Sequence, residues 1–287
     1  METRTQLQKT EEYSKEQVQN LQYTREQLQK AENKLRSDAI SSYADTVQKL
    51  NIKIETERFV GKFDWDKSLY LPAIEVNGKK YLLSESSSSF SLNNISTFYS
   101  KVLNLAMTTS KPDQKSGSSV ASVAGPLYVN HEKTAIFFPL SDDKLPALKT
   151  LSYSNLKQRG TQNLTLFKAN SYGRETADLQ GRCSLGLTDN PDGSGYLYIR
   201  NSQQGSELQA ALGDFVLSKE GEFVGIVVAM RSSNLTAKSE AVCWILPEKM
   251  EIEKFQQLRL NKKSGSAYFE DFSADFRKVF SIIANAK

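Results

Sequence analysis

With 287 residues, 39% hydrophobic and 24% charged, the chain can bury a sizeable core and has the make-up of a soluble globular protein. A net charge of +4 is too small to imply a nucleic-acid partner, and the aromatic residues are not interleaved with a basic cluster as single-strand binders require. No apolar run approaches the ~20 residues that span a bilayer, and the charged, glutamine-rich start is unlike a signal peptide. No membrane insertion is therefore expected, and the compartment is open: cytoplasmic by default, exported if a signal lies upstream. The two cysteines, Cys183 and Cys243, are far apart and show neither metal-ligand spacing nor a dense disulfide framework, so two buried thiols are expected. Nothing calls for a metal or a cofactor.

In chain order, residues 1–50 read as one long helix. No proline or glycine occurs before Gly61, and Leu7, Leu21, Leu28 and Leu35 fall on a heptad spacing, with Ser14 in the intervening place. The second seam position holds Thr10, Gln17, Thr24 and Ala31, too polar for packing rules to choose dimer over trimer. A coiled-coil stalk that assembles a homo-oligomer or docks a partner is expected. From Ile40 the apolar spacing broadens through Tyr43, Val47 and Leu50, as for a helix end resting on a globular body.

From Asn51 the apolar period shortens towards two. Strand-like runs follow at 58–63, 69–76 and 81–84, with Asn77-Gly78 between two of them as a strong hairpin signal. Further runs lie at 125–129, 135–140, 164–169, 196–200, 215–217, 223–229 and 241–246. Many short strands broken by turn signals predict a mainly β body over 51–250, a sandwich or barrel. The Ser- and Gly-rich stretch 110–122 predicts a loop. Past Pro247, which suits a first helical position, residues 251–287 predict a helical segment. Its last helix is amphipathic, with Phe269, Phe272, Phe276, Val279, Phe280 and Ile283 on one face.

The most specific stretch is 212–229, a β-hairpin. Phe215, Val216 and Leu217 form one apolar run, Lys219, Glu220 and Gly221 the turn, and Phe223 to Val228 a second run. Gly225 lies inside that run, where a missing side chain lets another backbone approach. The sequence Gly221-Glu222-Phe223-Val224-Gly225-Ile226, preceded by Val216-Leu217, resembles the stretch that follows the catalytic serine in trypsin-like (chymotrypsin-fold) serine proteases. The resemblance covers roughly residues 52–250. It implies a double β-barrel dividing near 141–158, and a strand at 241–247 that closes the second barrel.

It also implies a lost active site. Catalysis of this kind needs a serine, a histidine to take its proton and a carboxylate to hold the histidine. Aligned on Tyr81-Leu82-Leu83-Ser84, Ser87 falls on the histidine position. Ahead of Ala135-Ile136-Phe137, Lys133 falls on the aspartate position. At the nucleophile stands Leu212 by ungapped counting, or Phe215 if Gly213-Asp214 anchors the alignment. The implied function is that of a non-catalytic scaffold, adaptor or peptide-binding module, with a protein or peptide partner and assembly through the coiled coil.

Two alternatives are an active serine hydrolase with a non-standard site and a purely structural oligomer. The first would have to use the single histidine, His131, with Asp142 or Asp143 and Ser218. His131 and Asp142 are too close in sequence for this family, and Ser218 sits at a turn, where serine is ordinary. His131 reads as a surface residue ahead of a strand. The serines at 86–89 have no base tied to them by any pattern and read as a polar loop.

Overall fold

The computed structural model describes residues 14–15, 17–28, 30, 43–58, 61–86, 100–111, 121–123, 126–132, 134–142, 144–180, 182–201, 210–232 and 239–258. They fall into two units, Met1–Ser42 and Tyr43–Lys287. In the first, residues 17–28 are helical. Leu21 and Leu28 are 69% and 60% exposed, and Val18 and Tyr23 are exposed as well. Leu7 and Leu35 lie outside the described residues.

The helix expected to reach residue 50 ends earlier, because the chain is already strand at Val47. Strand β1 (Val47–Arg58) pairs antiparallel along its whole length with β2 (Gly61–Val76), from Val47 opposite Pro72 to Arg58 opposite Gly61. Its other edge pairs with β4 (Ser100–Ser110). Val47, Leu50 and Ile52 are buried. Their spacing fits a helix face or a two-sided strand, and two partner strands decide for the strand. The run expected at 58–63 is likewise the junction of two strands. Between β2 and β3 (Lys79–Glu85), Asn77 and Gly78 both take positive φ, 51° and 74°, the turn that Asn-Gly favours in a hairpin.

The first sheet also contains β5 (Ala121–Ser122), β6 (Leu127–Val129), β7 (Ala135–Pro139), β8 (Leu148–Lys149) and β16 (Gln256–Leu258). Its order is β16-β6-β7-β3-β2-β1-β4-β5, with β8 parallel to β2. The second sheet holds β9 (Thr165–Phe167), β10 (Thr176–Asp178), β11 (Cys183–Asp189), β12 (Gly195–Asn201), β13 (Phe215–Leu217), β14 (Phe223–Ser232) and β15 (Ser239–Ile245). Its order is β10-β9-β13-β14-β15-β12-β11.

The two end strands of the second sheet, β10 and β11, are joined in sequence only by residues 179–182. The sheet therefore turns back on itself. Leu179, in the join, is fully buried; its N–H donates to the Leu164 carbonyl, and Cys183 N–H donates to its own. Around it lie Leu166, Leu197, Ile199, Val216, Val224, Val227, Cys243 and Ile245, all buried. Cys183 packs at the margin of this core, and no disulfide joins it to Cys243. In the first sheet, Val123 bridges to Leu140 just beyond β7, which brings the β5 end back towards the β7 side.

Strands up to Lys149 belong to the first sheet and those from Thr165 to Ile245 to the second. The short helix Tyr153–Arg159 lies between them, capped by the Ser152 hydroxyl, which accepts from Asn155 N–H. Aromatic contacts fill the seam between the sheets. Phe137 meets Trp244 at 6.1 Å and Phe255 at 5.8 Å, and Leu151 N–H donates to the Phe223 carbonyl.

Past Pro247 the described chain is not the expected helix. A single 3-10 turn, Ile252–Lys254, leads into β16, which pairs with β6. Ile252 and Phe255 carry helical spacing but are buried by this return to the first sheet. The amphipathic face from Phe269 to Ile283 lies outside the described residues.

Candidate functional site

The hairpin that carries the sequence resemblance forms as expected, with β13 and β14 paired from Phe215 opposite Ile226. The chain enters it through a tight turn. Asp214 N–H donates to the Ala211 carbonyl, Gly213 N–H to Val227, and Val227 N–H to Asp214. The Asp214 carboxylate is buried inside this turn, accepting from Ala169 N–H at 3.0 Å and Ala211 N–H at 2.9 Å. Burial pushes its pKa up, and the two amides pull it part of the way back.

This has a measurable consequence. Each carboxylate oxygen takes one amide, so Asp214→Asn must turn an NH2 group on one of them and lose about 2 kcal/mol. Because the folded pKa is raised, the native protein loses stability as pH climbs from the unfolded pKa through the folded one. The variant, which does not titrate there, should be penalised more at pH 3 than at pH 7, as read by denaturant melts of both proteins.

Leu212 and Phe215, the two candidates for the nucleophile position, are physically different residues. Leu212 is at the turn and 39% exposed. Phe215 is fully buried, stacked on Phe167 at 5.5 Å and on Phe223 at 6.4 Å. Ser87 and Lys133 lie outside the described residues, but the backbone leading to them is adjacent. Glu85 at the end of β3 pairs with Ala135 at the start of β7, and Ser86 N–H donates to the Thr134 carbonyl at 3.0 Å.

His131, Asp142 and Ser218 are not hydrogen-bonded to one another. The exposed His131 ring meets Phe255 edge-on at 5.1 Å. Asp142 accepts from Lys144 N–H, closing a local turn. Ser218 accepts from Glu222 N–H at 3.2 Å, while Glu222 itself is paired with Arg159 at 2.7 Å. No group of three His, Cys, Asp or Glu among the described residues could hold a metal ion. No helix among them is long and apolar enough to cross a membrane.

Sequence reasoning missed a groove of about 530 Å³ on the second sheet, lined by Ser184, Leu185, Gly186, Leu187 and Thr188 of β11, by Tyr198 and Arg200 of β12, and by Arg231 of β14. Its only sequence signal is the alternation of small residues, Ser184, Gly186 and Thr188, with Leu185 and Leu187. Arg200 is ion-paired with Glu240 at 2.7 Å, and the Arg231 guanidinium lies 5.7 Å from the Tyr198 ring.

No family model and no curated protein matches this chain. Among solved structures, the protease domain of MamO from Magnetospirillum magneticum, in its apo form, is similar with 9% identity and a TM-score of 0.32, over 75% of this chain and 98% of that one. A likeness of this size assigns no residue and no activity.

Proposed function

We propose that the chain is a non-catalytic trypsin-like double-barrel domain that binds a protein or peptide partner and is assembled through its N-terminal helix. The observation that carries this reading is the hairpin at 212–229. It keeps the family's strand–turn–strand frame, yet its two candidate nucleophile positions hold Leu212 on the surface and Phe215 stacked between two phenylalanines. The curling of the second sheet through Leu179 and the change of sheet between Lys149 and Thr165 fit the double barrel that the resemblance implies. Ser87 and Lys133 complete the degenerate set. For assembly, the support is the exposure of Leu21 and Leu28 on one heptad position of the helix.

The full chain should release no product from fluorogenic peptide libraries and take up no fluorophosphonate label. Labelling or turnover abolished by His131→Ala or Ser218→Ala would sink the reading. In sedimentation the chain should exceed monomer mass, and Leu21→Glu with Leu28→Glu should return it to monomer.

A further inference from the structure

We propose that Tyr70 and Tyr172 form an oxidative cross-linking site, at which a one-electron oxidant joins the two phenol rings by a carbon–carbon bond and fastens the first sheet to the second. This does not depend on the binding-module reading above.

Both rings are placed by firmly held backbone. Tyr70 lies on β2, opposite Lys49 of β1. Tyr172 lies between β9 and β10, directly after the 3-10 turn Ala169–Ser171. Its φ is 60°, in the left-handed region that a bulky side chain rarely adopts. Three hydrogen bonds keep it there: Tyr172 N–H donates to the Ala169 carbonyl, Gly173 N–H to Lys168 and Arg174 N–H to Ser171. A Cβ on Gly173 would lie 3.2 Å from Val47 Cγ2, so this turn is packed closely against β1.

The Tyr70 hydroxyl donates to the Tyr172 hydroxyl at 3.3 Å, and the ring centroids are 4.3 Å apart at 67°. Ordinary aromatic pairs sit at about 4.5–7 Å. With the hydroxyl ends together and the rings this close, the carbons ortho to the two oxygens lie side by side. A bond between those carbons leaves the two oxygens adjacent, which is the arrangement already present. The hydrogen bond to Tyr172, with burial adding to it, pushes the Tyr70 pKa up to about 12, so Tyr70 starts as a phenol at neutral pH. The other tyrosine pairs among the described residues are set wider, Tyr196–Tyr198 at 6.4 Å and Tyr81–Tyr128 at 6.5 Å, and the Tyr196 hydroxyl is turned to Glu132.

The chemistry balances with a peroxide as oxidant. Each phenol loses one electron and one proton. The two radicals share their unpaired electrons in a new Cε–Cε bond. Each joined carbon then releases its ring hydrogen as a proton, and each phenol oxygen takes one back. Two hydrogen atoms leave in all, and through a peroxidase they reduce one hydrogen peroxide to two waters. The residues joined are 102 apart in sequence, so the bond closes a long loop. It also ties β2 to the turn whose Ala169 N–H holds the Asp214 carboxylate, beside the candidate site.

The test treats the full chain, dilute, with a peroxidase and hydrogen peroxide, and follows it by tryptic mass spectrometry. Tryptic peptides 68–79 and 169–174 contain one tyrosine each. They should appear joined, lighter than their sum by two hydrogen atoms. Tyr70→Phe and Tyr172→Phe keep the rings and remove the phenol, and each should abolish the joined pair, whereas Tyr196→Phe should leave its yield unchanged. In urea the untouched sequence should give at least about tenfold less of it, because the fold supplies the proximity. The linked chain should melt about 5 °C or more above the unlinked one.

A link that survives either phenylalanine variant at these positions, forms equally well in urea, or joins other tyrosines in its place would overturn the proposal. So would oxidation of the exposed Tyr23 with Tyr70 and Tyr172 left unlinked. An unchanged melting temperature would show that the bond does not fasten the two sheets, and would overturn it as well.

Discussion

Phe215→Ser should cost about 4 kcal/mol or more and restore no hydrolysis. Truncating a fully buried phenylalanine costs roughly 3–5 kcal/mol through lost transfer energy and the cavity it leaves. Here the ring stacks on Phe167 and Phe223, and its strand pairs with β9 on one side and β14 on the other, so collapse around the gap is limited. A hydroxyl in that space adds a desolvation cost unless it finds an acceptor. Leu212→Ser, only three residues earlier, should change stability by no more than about 1 kcal/mol, because the side chain already meets solvent. Urea melts of the two variants measure the contrast directly. A mild effect at Phe215 would mean that the seam repacks freely and that its aromatic filling is not what holds the hairpin. A serine at 212 that took up fluorophosphonate would show a working base nearby and end the non-catalytic reading.

Gly225→Ala is expected to cost about 3 kcal/mol, a large penalty for one methyl group but within the range for overpacked sites. A Cβ at this position would lie 2.5 Å from the Trp244 carbonyl oxygen and 3.2 Å from its carbonyl carbon. Both are backbone atoms of β15, so relief requires β14 and β15 to move apart. Gly225 also lies opposite Val216 of β13. Any such movement would therefore disturb strand pairing on both sides of β14. Gly186→Ala is the matched control, an interior strand glycine with open space above it, and should be neutral within about 0.5 kcal/mol. Thermal and denaturant unfolding of the pair would decide. Equal effects would mean that the loss comes from strand backbone preference rather than from the Trp244 contact.

The features legible in the sequence were those fixed by local chemistry. Asn77-Gly78 demanded a positive-φ turn, and one is present. The apolar runs on either side of Lys219, Glu220 and Gly221 had the length and spacing of a hairpin, and Gly225 marked the close approach that its neighbours confirm. What escaped depended on partners distant in the chain. Strand β4 mixes Lys101, Asn104 and paired threonines among its apolar residues, and becomes a strand by pairing with β1. Val47 and Leu50 satisfied a helical period as well as a strand. Ile252 and Phe255 did the same, until pairing with β6 settled the matter. The helix Tyr153–Arg159 is too short to show a period. The β11 groove was hidden for a different reason: it is lined by residues of three strands, β11, β12 and β14, and no stretch of sequence announces which strands a sheet sets together.

The place of β16 in the first sheet bears on how the molecule is made. Its residues, Gln256–Leu258, are translated after every strand of the second sheet, yet their partner β6, Leu127–Val129, leaves the ribosome far earlier. During synthesis β6 therefore has only β7 to pair with until residues 140–255, which hold every strand of the second sheet, have emerged. The strand that pairs with it comes from the late part of the polypeptide, and joins the Phe137–Trp244 contact and the Leu151–Phe223 hydrogen bond in tying late residues to early ones. A nascent chain halted near residue 150 would hold β6 without the strand that pairs with its outer edge in the finished molecule.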